Sequence, residues 1–144
     1  MQITDKILDD LLALAEENPR KRQNYDLRTS TADTSQRMLN ALRPGTVVPI
    51  HRHESTAETV VCLRGRLYEI IYEEVAEYVT DAGDMTLCKG FRETERHLLC
   101  PSEGLYGMQI QADAWHTIEV LEPSVIFEAK DGAYEPLREC DILK

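Results

Sequence analysis

The chain has 144 residues, 42% of them hydrophobic and 29% charged, which suits one folded domain with a core that needs no disulfide staples. Its 26 acidic and 16 basic residues give a formal charge of −10, which argues against non-specific binding to nucleic acid or an anionic membrane, since both need a basic face. No run approaches the roughly 18 apolar residues of a membrane helix. Met1–Glu17 has no signal-peptide pattern, and the four cysteines (Cys62, Cys88, Cys100, Cys140) form no CxxC pair, so a cytoplasmic protein with reduced thiols is expected.

In chain order, residues 4–17 predict an amphipathic helix: Ile3, Ile7, Leu8, Leu11, Leu12 and Ala15 recur at helical spacing, Thr4 is a candidate N-cap and Asn18-Pro19 a stop. Residues 19–36 are polar and hold the one basic cluster, with Arg20, Lys21, Arg22 and Asn24. Tyr25 and Arg28 in this stretch are candidates to fold over a site, the guanidinium holding a carboxylate or phosphate and the phenol handling a proton; an exposed or packing role is the alternative. Residues 37–42 alternate as a strand that Pro44-Gly45 ends. Asn40 shares its apolar face, as a ligand contact or as a structural hydrogen-bonding group.

Residues 46–53 predict a strand, and residues 54–57 a bend. Residues 58–63 and 67–74 predict a hairpin about Arg64-Gly65-Arg66. Asp81-Ala82-Gly83-Asp84 is a turn into a strand at 85–88, and the charged residues 89–103 read as a surface loop or an extended hairpin. Strands at 105–110 and 115–121 flank Gln111–Ala114, and Glu122-Pro123 turns into a last strand at 125–130. Many short strands at this spacing predict a sandwich or barrel. The expected organisation is a single domain: helix and arm over 1–36, β-barrel over 37–134, tail over 135–144.

The spacing Gly45-x5-His51-x-His53-x4-Glu58-x6-Gly65 carries the chemistry. Histidines at i and i+2 on a strand point the same way, about 7 Å apart along it. Glu58 and a third imidazole from a remote strand would complete a three-histidine, one-carboxylate set. His116 fits, because it leads the otherwise apolar row His116, Ile118, Val120. The expected ligands are therefore His51, His53, Glu58 and His116, around one divalent ion such as Fe, Mn, Ni, Co or Zn. Each imidazole should have a hydrogen-bond acceptor that fixes its tautomer. Cys62 shares the face of Glu58 and reads as a small buried hydrophobe. His97, among charged residues, reads as a surface histidine, and Trp115 as packing. Glu128 and Lys130 share one face of the last strand, opposite Val125, Phe127 and Ala129. They are either ligand contacts in the lumen or solvated, and the apolar opposite row favours the second. Lys130 stays a candidate substrate contact beside Tyr25, Arg28 and Asn40. No catalytic acid or base is assigned.

With these residues in place, the chain resembles the cupin superfamily, whose first motif is matched by Gly45, His51, His53, Glu58 and Gly65. Of the second motif it keeps His116, with Gln111, Asp113 and Val120 at positions where cupins often have Pro, Gly and Asn. More closely it is similar to the small WbuC-type cupin fold metalloproteins, through Pro19-Arg20 to Asn24-Tyr25, Gln36-Arg37 to Gly45, Leu63–Arg66, Trp115-His116-Thr117 and Phe127–Tyr134. The resemblance implies an all-β, cupin-type jelly-roll β-barrel with a short N-terminal α-helix and a metal at one mouth. It implies a link to surface-polysaccharide (O-antigen or capsule) biosynthesis, with a sugar, nucleotide sugar or similar polar metabolite as ligand, but supplies no reaction; as an enzyme the protein is expected to carry out metal-assisted isomerisation, epimerisation or oxygenation at the open coordination positions. A non-catalytic binding or sensing module is the main alternative, and a structural metal site a third. Neither nucleic acid nor membrane is an expected partner. A homodimer is expected from the resemblance alone, through the helix or an edge strand.

Overall fold

The apolar stripe at the N-terminus forms the predicted helix. In the computed structural model, which describes residues 1–143, α1 spans Asp5–Glu17, with Thr4 at the N-cap position and the Asn18 amide donating back to Leu14. Leu8, Leu11, Leu12 and Ala15 are its buried face, packed on Leu39, Ala41 and Val125 of the sheet. Arg64 pins the other side of the helix through Asp5 and Asp9.

Six strands make one antiparallel sheet: β1 (Arg22–Asp26), β2 (Ser35–Leu42), β3 (Glu58–Asp81), β4 (Asp84–Leu99), β5 (Gly107–Ile110) and β6 (Trp115–Asp131). Their order is β1-β2-β6-β3-β4, and β5 pairs with the first residues of β3. A second core (Leu42, Val60, Cys62, Leu67, Leu99, Ile110, Val120, Ile126) fills the inner side. The sheet is therefore buried on both faces near β2 and β6. Odd-numbered Leu39, Ala41, Val125 and Phe127 lie under α1, while even-numbered Asn40, Leu42, Ile126 and Glu128 point inward.

Expectations change at several points, among them the Glu122-Pro123 turn, through which β6 runs unbroken. Arg64-Gly65-Arg66 is not a hairpin turn: β3 runs unbroken through it, and its register against β6 slips between Cys62 and Leu67. That irregularity bends the strand. Gly65 is required there, since its φ is +102° and a Cβ would stand 2.2 Å from Ser124 Oγ and 2.4 Å from the Pro123 carbonyl. Residues 84–99 form a continuous strand, so the extended-hairpin reading holds over the loop reading, with the turn at Ala82 (φ 50°) and Gly83 (φ 88°). The polar stretch 19–36 contains edge strand β1. Finally, residues 46–57 carry no regular strand. His51 makes single antiparallel bridges to His116 and Ile142, and the segment is otherwise held by isolated bonds, such as Arg52 N–H to the Asp141 carbonyl (3.0 Å) and Leu143 N–H to the Ile50 carbonyl (2.8 Å). The tail thus packs along the histidine segment.

Candidate metal centre

Reciprocal backbone bonds between His51 and His116 (3.1 and 2.8 Å) bring the irregular histidine segment against the start of β6. The side chains of His51, His53 and His116 converge there, with potential ligand atoms all within 4.8 Å of one another. Nδ1 of His51 lies 2.9 Å from the Pro49 carbonyl, and Nδ1 of His116 lies 2.9 Å from the Ala114 carbonyl. A carbonyl only accepts, so Nδ1 carries the proton in both rings and Nε2 keeps its lone pair for a metal. Burial, with His116 alongside, pushes the His51 imidazole down to about 4, so it stays neutral over the physiological range.

Glu58 opens β3 at the edge of this cluster, 4% exposed. Its Oε2 lies 3.4 Å from Nε2 of His53 and 3.6 Å from Nε2 of His116, yet accepts no hydrogen bond. Burial alone would raise this carboxyl; hydrogen bonds from His116 and His53 when their Nε2 is protonated, and the Lys130 charge, outweigh it and hold the group below the ordinary range. Three imidazoles and a buried carboxylate oxygen that accepts no hydrogen bond form a donor set that fits a divalent transition ion.

The cluster opens into a cavity of about 700 Å3. Asn40 and Lys130 line it, and Lys130 Nζ comes within 3.4 Å of His53 Nε2. Glu128 lines it too, pushed up to about 8 by burial and by the Glu58 charge facing it. The preference for a solvated Glu128 and Lys130 is thereby corrected. The opposite row looked like the core face because α1 buries it, so apolarity marks both sides of β6 and does not identify the inner one. Tyr25 and Arg28 do not line this cavity. Tyr25 pairs with Leu39 on the opposite face of the sheet, and Arg28 binds Asp26 (2.8 Å) and lies 5.6 Å from the Tyr134 ring centroid beside a smaller neighbouring pocket. From the same segment, Arg22 and Asn24 reach the main cavity instead.

Glu69 went unnoticed in the sequence. It is 2% exposed, lines the cavity, and has no partner for Oε2. Its signal was available: Leu67, Glu69 and Ile71 form an inward row beside His116, Ile118 and Val120, and a charged residue in such a row is as informative as the histidine. Arg52 was also missed. It stacks on Trp115 (4.8 Å) and pairs with Asp141 and Asp113, tying the tail to the histidine segment. Trp115 packs edge-on against Phe91, Cys62 lies in the apolar core, and His97 is exposed beside Glu95. All four cysteines are unpaired, and no helix among the described residues is long and apolar enough to cross a membrane.

Comparison with solved structures gives the fold. The chain is similar to TT1209 from Thermus thermophilus (22% identity, TM-score 0.55, covering 92% of this chain and 98% of that one). It is also similar to a cupin 2 domain-containing protein from Halorhodospira halophila (16%, 0.53, 81% and 68%). A third likeness is to the capsular polysaccharide assembling protein CapF from Staphylococcus aureus (16%, 0.55, 88%), of which this chain spans only 32%. The fold is the cupin jelly roll, though the sheet is not closed into a complete barrel. No curated protein matches the sequence. Residues 3–83 match the family described as a domain of unknown function, DUF6016, and the chain belongs to that family.

Proposed function

We propose that the protein is a metal-dependent cupin whose cavity takes a small polar metabolite, with His51, His53, His116 and Glu58 holding one divalent ion. The observation that carries this is the convergence of three imidazoles, two with Nε2 freed by backbone carbonyls, on a buried carboxylate oxygen that has no hydrogen bond. A bound ion of this kind, with net charge near +1 after Glu58, supplies a Lewis acid for a ligand oxygen. The chain's own contributions are to exclude water at the cavity floor, to present Lys130 beside the ligands, and to hold protons on Glu69 and Glu128.

A sugar or nucleotide sugar of surface-polysaccharide synthesis, in a WbuC-type protein, is the metabolite class we favour. The WbuC-like motifs support it, as does the fold likeness to a protein that assembles capsular polysaccharide. Elemental analysis of the purified protein tests the metal: near-stoichiometric iron, manganese, nickel or zinc is expected, and its loss in His51→Ala/His116→Ala. No metal above background, and none taken up on reconstitution, would overturn the proposal. A screen of keto sugars and nucleotide sugars, with and without chelator, then separates turnover from binding alone.

A further inference from the structure

Three buried side-chain oxygens make no hydrogen bond among the described residues: Asn40 Oδ1, Glu58 Oε2 and Glu69 Oε2. All three residues line the same cavity. Glu58 is accounted for by the imidazoles and the ion they would share. Asn40 and Glu69 are not. Glu69 stands on the inner row of β3, opposite Ile118 and between Leu67 and Ile71, where an apolar side chain would pack without a buried polar atom to satisfy. Asn40 stands on the inner row of β2, opposite Ile126.

The two groups narrow what can bind. An amide oxygen only accepts, so Asn40 needs a donor. Glu69 Oε2 is buried without a partner, and that burial raises the carboxyl above its ordinary range, so as a carboxylic acid it both donates and accepts. A carboxylate, phosphate or ether oxygen has nothing to give Asn40. An ammonium cannot accept from Glu69 and meets Lys130. A hydroxyl serves both groups. We infer that Asn40 and Glu69 form a hydroxyl-binding subsite in the cavity wall, which takes the hydroxyls of a small polyhydroxylated molecule. This deepens the proposed function and rests on the cavity being a ligand site.

The test is a titration of zinc-loaded, 15N-labelled protein with glycerol and with 1,2-dimethoxyethane, a diether of similar size that only accepts. Glycerol should shift the Asn40 side-chain amide signals saturably, and the diether should not. Glu69→Leu should weaken glycerol binding about five-fold, the scale of one lost hydrogen bond, with zinc content unchanged. Glu69→Gln, which still donates and accepts, should bind within about two-fold of wild type. Equal response to both probes, no saturable shift with glycerol, or wild-type affinity in Glu69→Leu would each overturn the subsite. Should Glu69→Leu not fold, Asn40→Leu takes its place, read by a perturbation at the signals of neighbouring residues. If the wild type takes up no zinc, the metal reading fails separately, and the same titration of the metal-free protein still decides the subsite.

Discussion

The Lys130 ammonium stands 3.4 Å from Nε2 of His53, on the nitrogen that also faces Glu58. A cation is thus already at the place where the donor set would hold another. Like charges near 4 Å repel by up to about 4 kcal/mol at an effective dielectric of 20, and a flexible lysine relieves part of this by moving. Lys130→Met should therefore raise divalent-ion affinity about ten-fold, read by competition with a chelating dye. It should also lower the stability of the metal-free protein, because the buried Glu58 carboxylate loses the Lys130 charge that favours it. A fall in metal affinity would show that Lys130 assists binding.

Glu69 makes stability pH-dependent. Its folded-state pKa is raised by burial and by the charges of Glu58 and Glu128, so the native state binds the proton more tightly than the unfolded chain. Its contribution is fully present below the ordinary glutamate range near 4.3 and is lost as pH rises through the raised folded value. Glu69→Leu should accordingly be more stable than wild type at pH 8, by roughly 1–3 kcal/mol, with the gap closing toward pH 4. Urea denaturation across pH measures this, and a gap that widens on acidification would refute it.

Asp141 shifts the opposite way. Arg138 and then Arg52 hold its carboxyl down at about 2, below the ordinary aspartate value near 3.9. The stabilisation is present above pH about 4 and lost as pH falls toward 2. Arg52 also stacks on Trp115, the only tryptophan, which makes its emission a reporter. Emission should change between pH 4 and pH 2 in the wild type, and Asp141→Asn should show part of that change already at pH 6.

Gly65→Ala should destabilise the protein by about 3 kcal/mol or more, because positive φ and a blocked Cβ position act together. The same bend separates the Glu58 end of β3 from the Glu69 end, so metal content should fall as well. Thermal unfolding and elemental analysis check both parts; an unaffected Tm would show that the strand relaxes without loss.

The helix, β2, the 81–84 turn and the histidine spacing were legible because each depends on neighbours in sequence: helical periodicity, alternation, a turn demanding positive φ, and two histidines at i and i+2. The bend at Gly65 was not. A glycine flanked by arginines looks the same in a hairpin and in a bulge, and the difference lies in Ser124 and Pro123, almost sixty residues away. The inner face of β6 was hidden for the same kind of reason, since only the docking of α1 reveals why Val125 and Phe127 are apolar. The histidine segment read as a strand because its alternation is strand-like, whereas its bonding partners are single residues of β6 and of the tail.

Because β2 and β6 are covered on both sides, each carries two texts in alternate letters. Positions 39, 41, 125 and 127 spell the seam with the helix; positions 38, 40, 128 and 130 spell the wall of the cavity. A substitution in one text leaves the other unread. The chemistry of the cavity can therefore be rewritten in steps that never touch the helix seam, so a change of ligand on this scaffold does not have to pass through a loss of the fold.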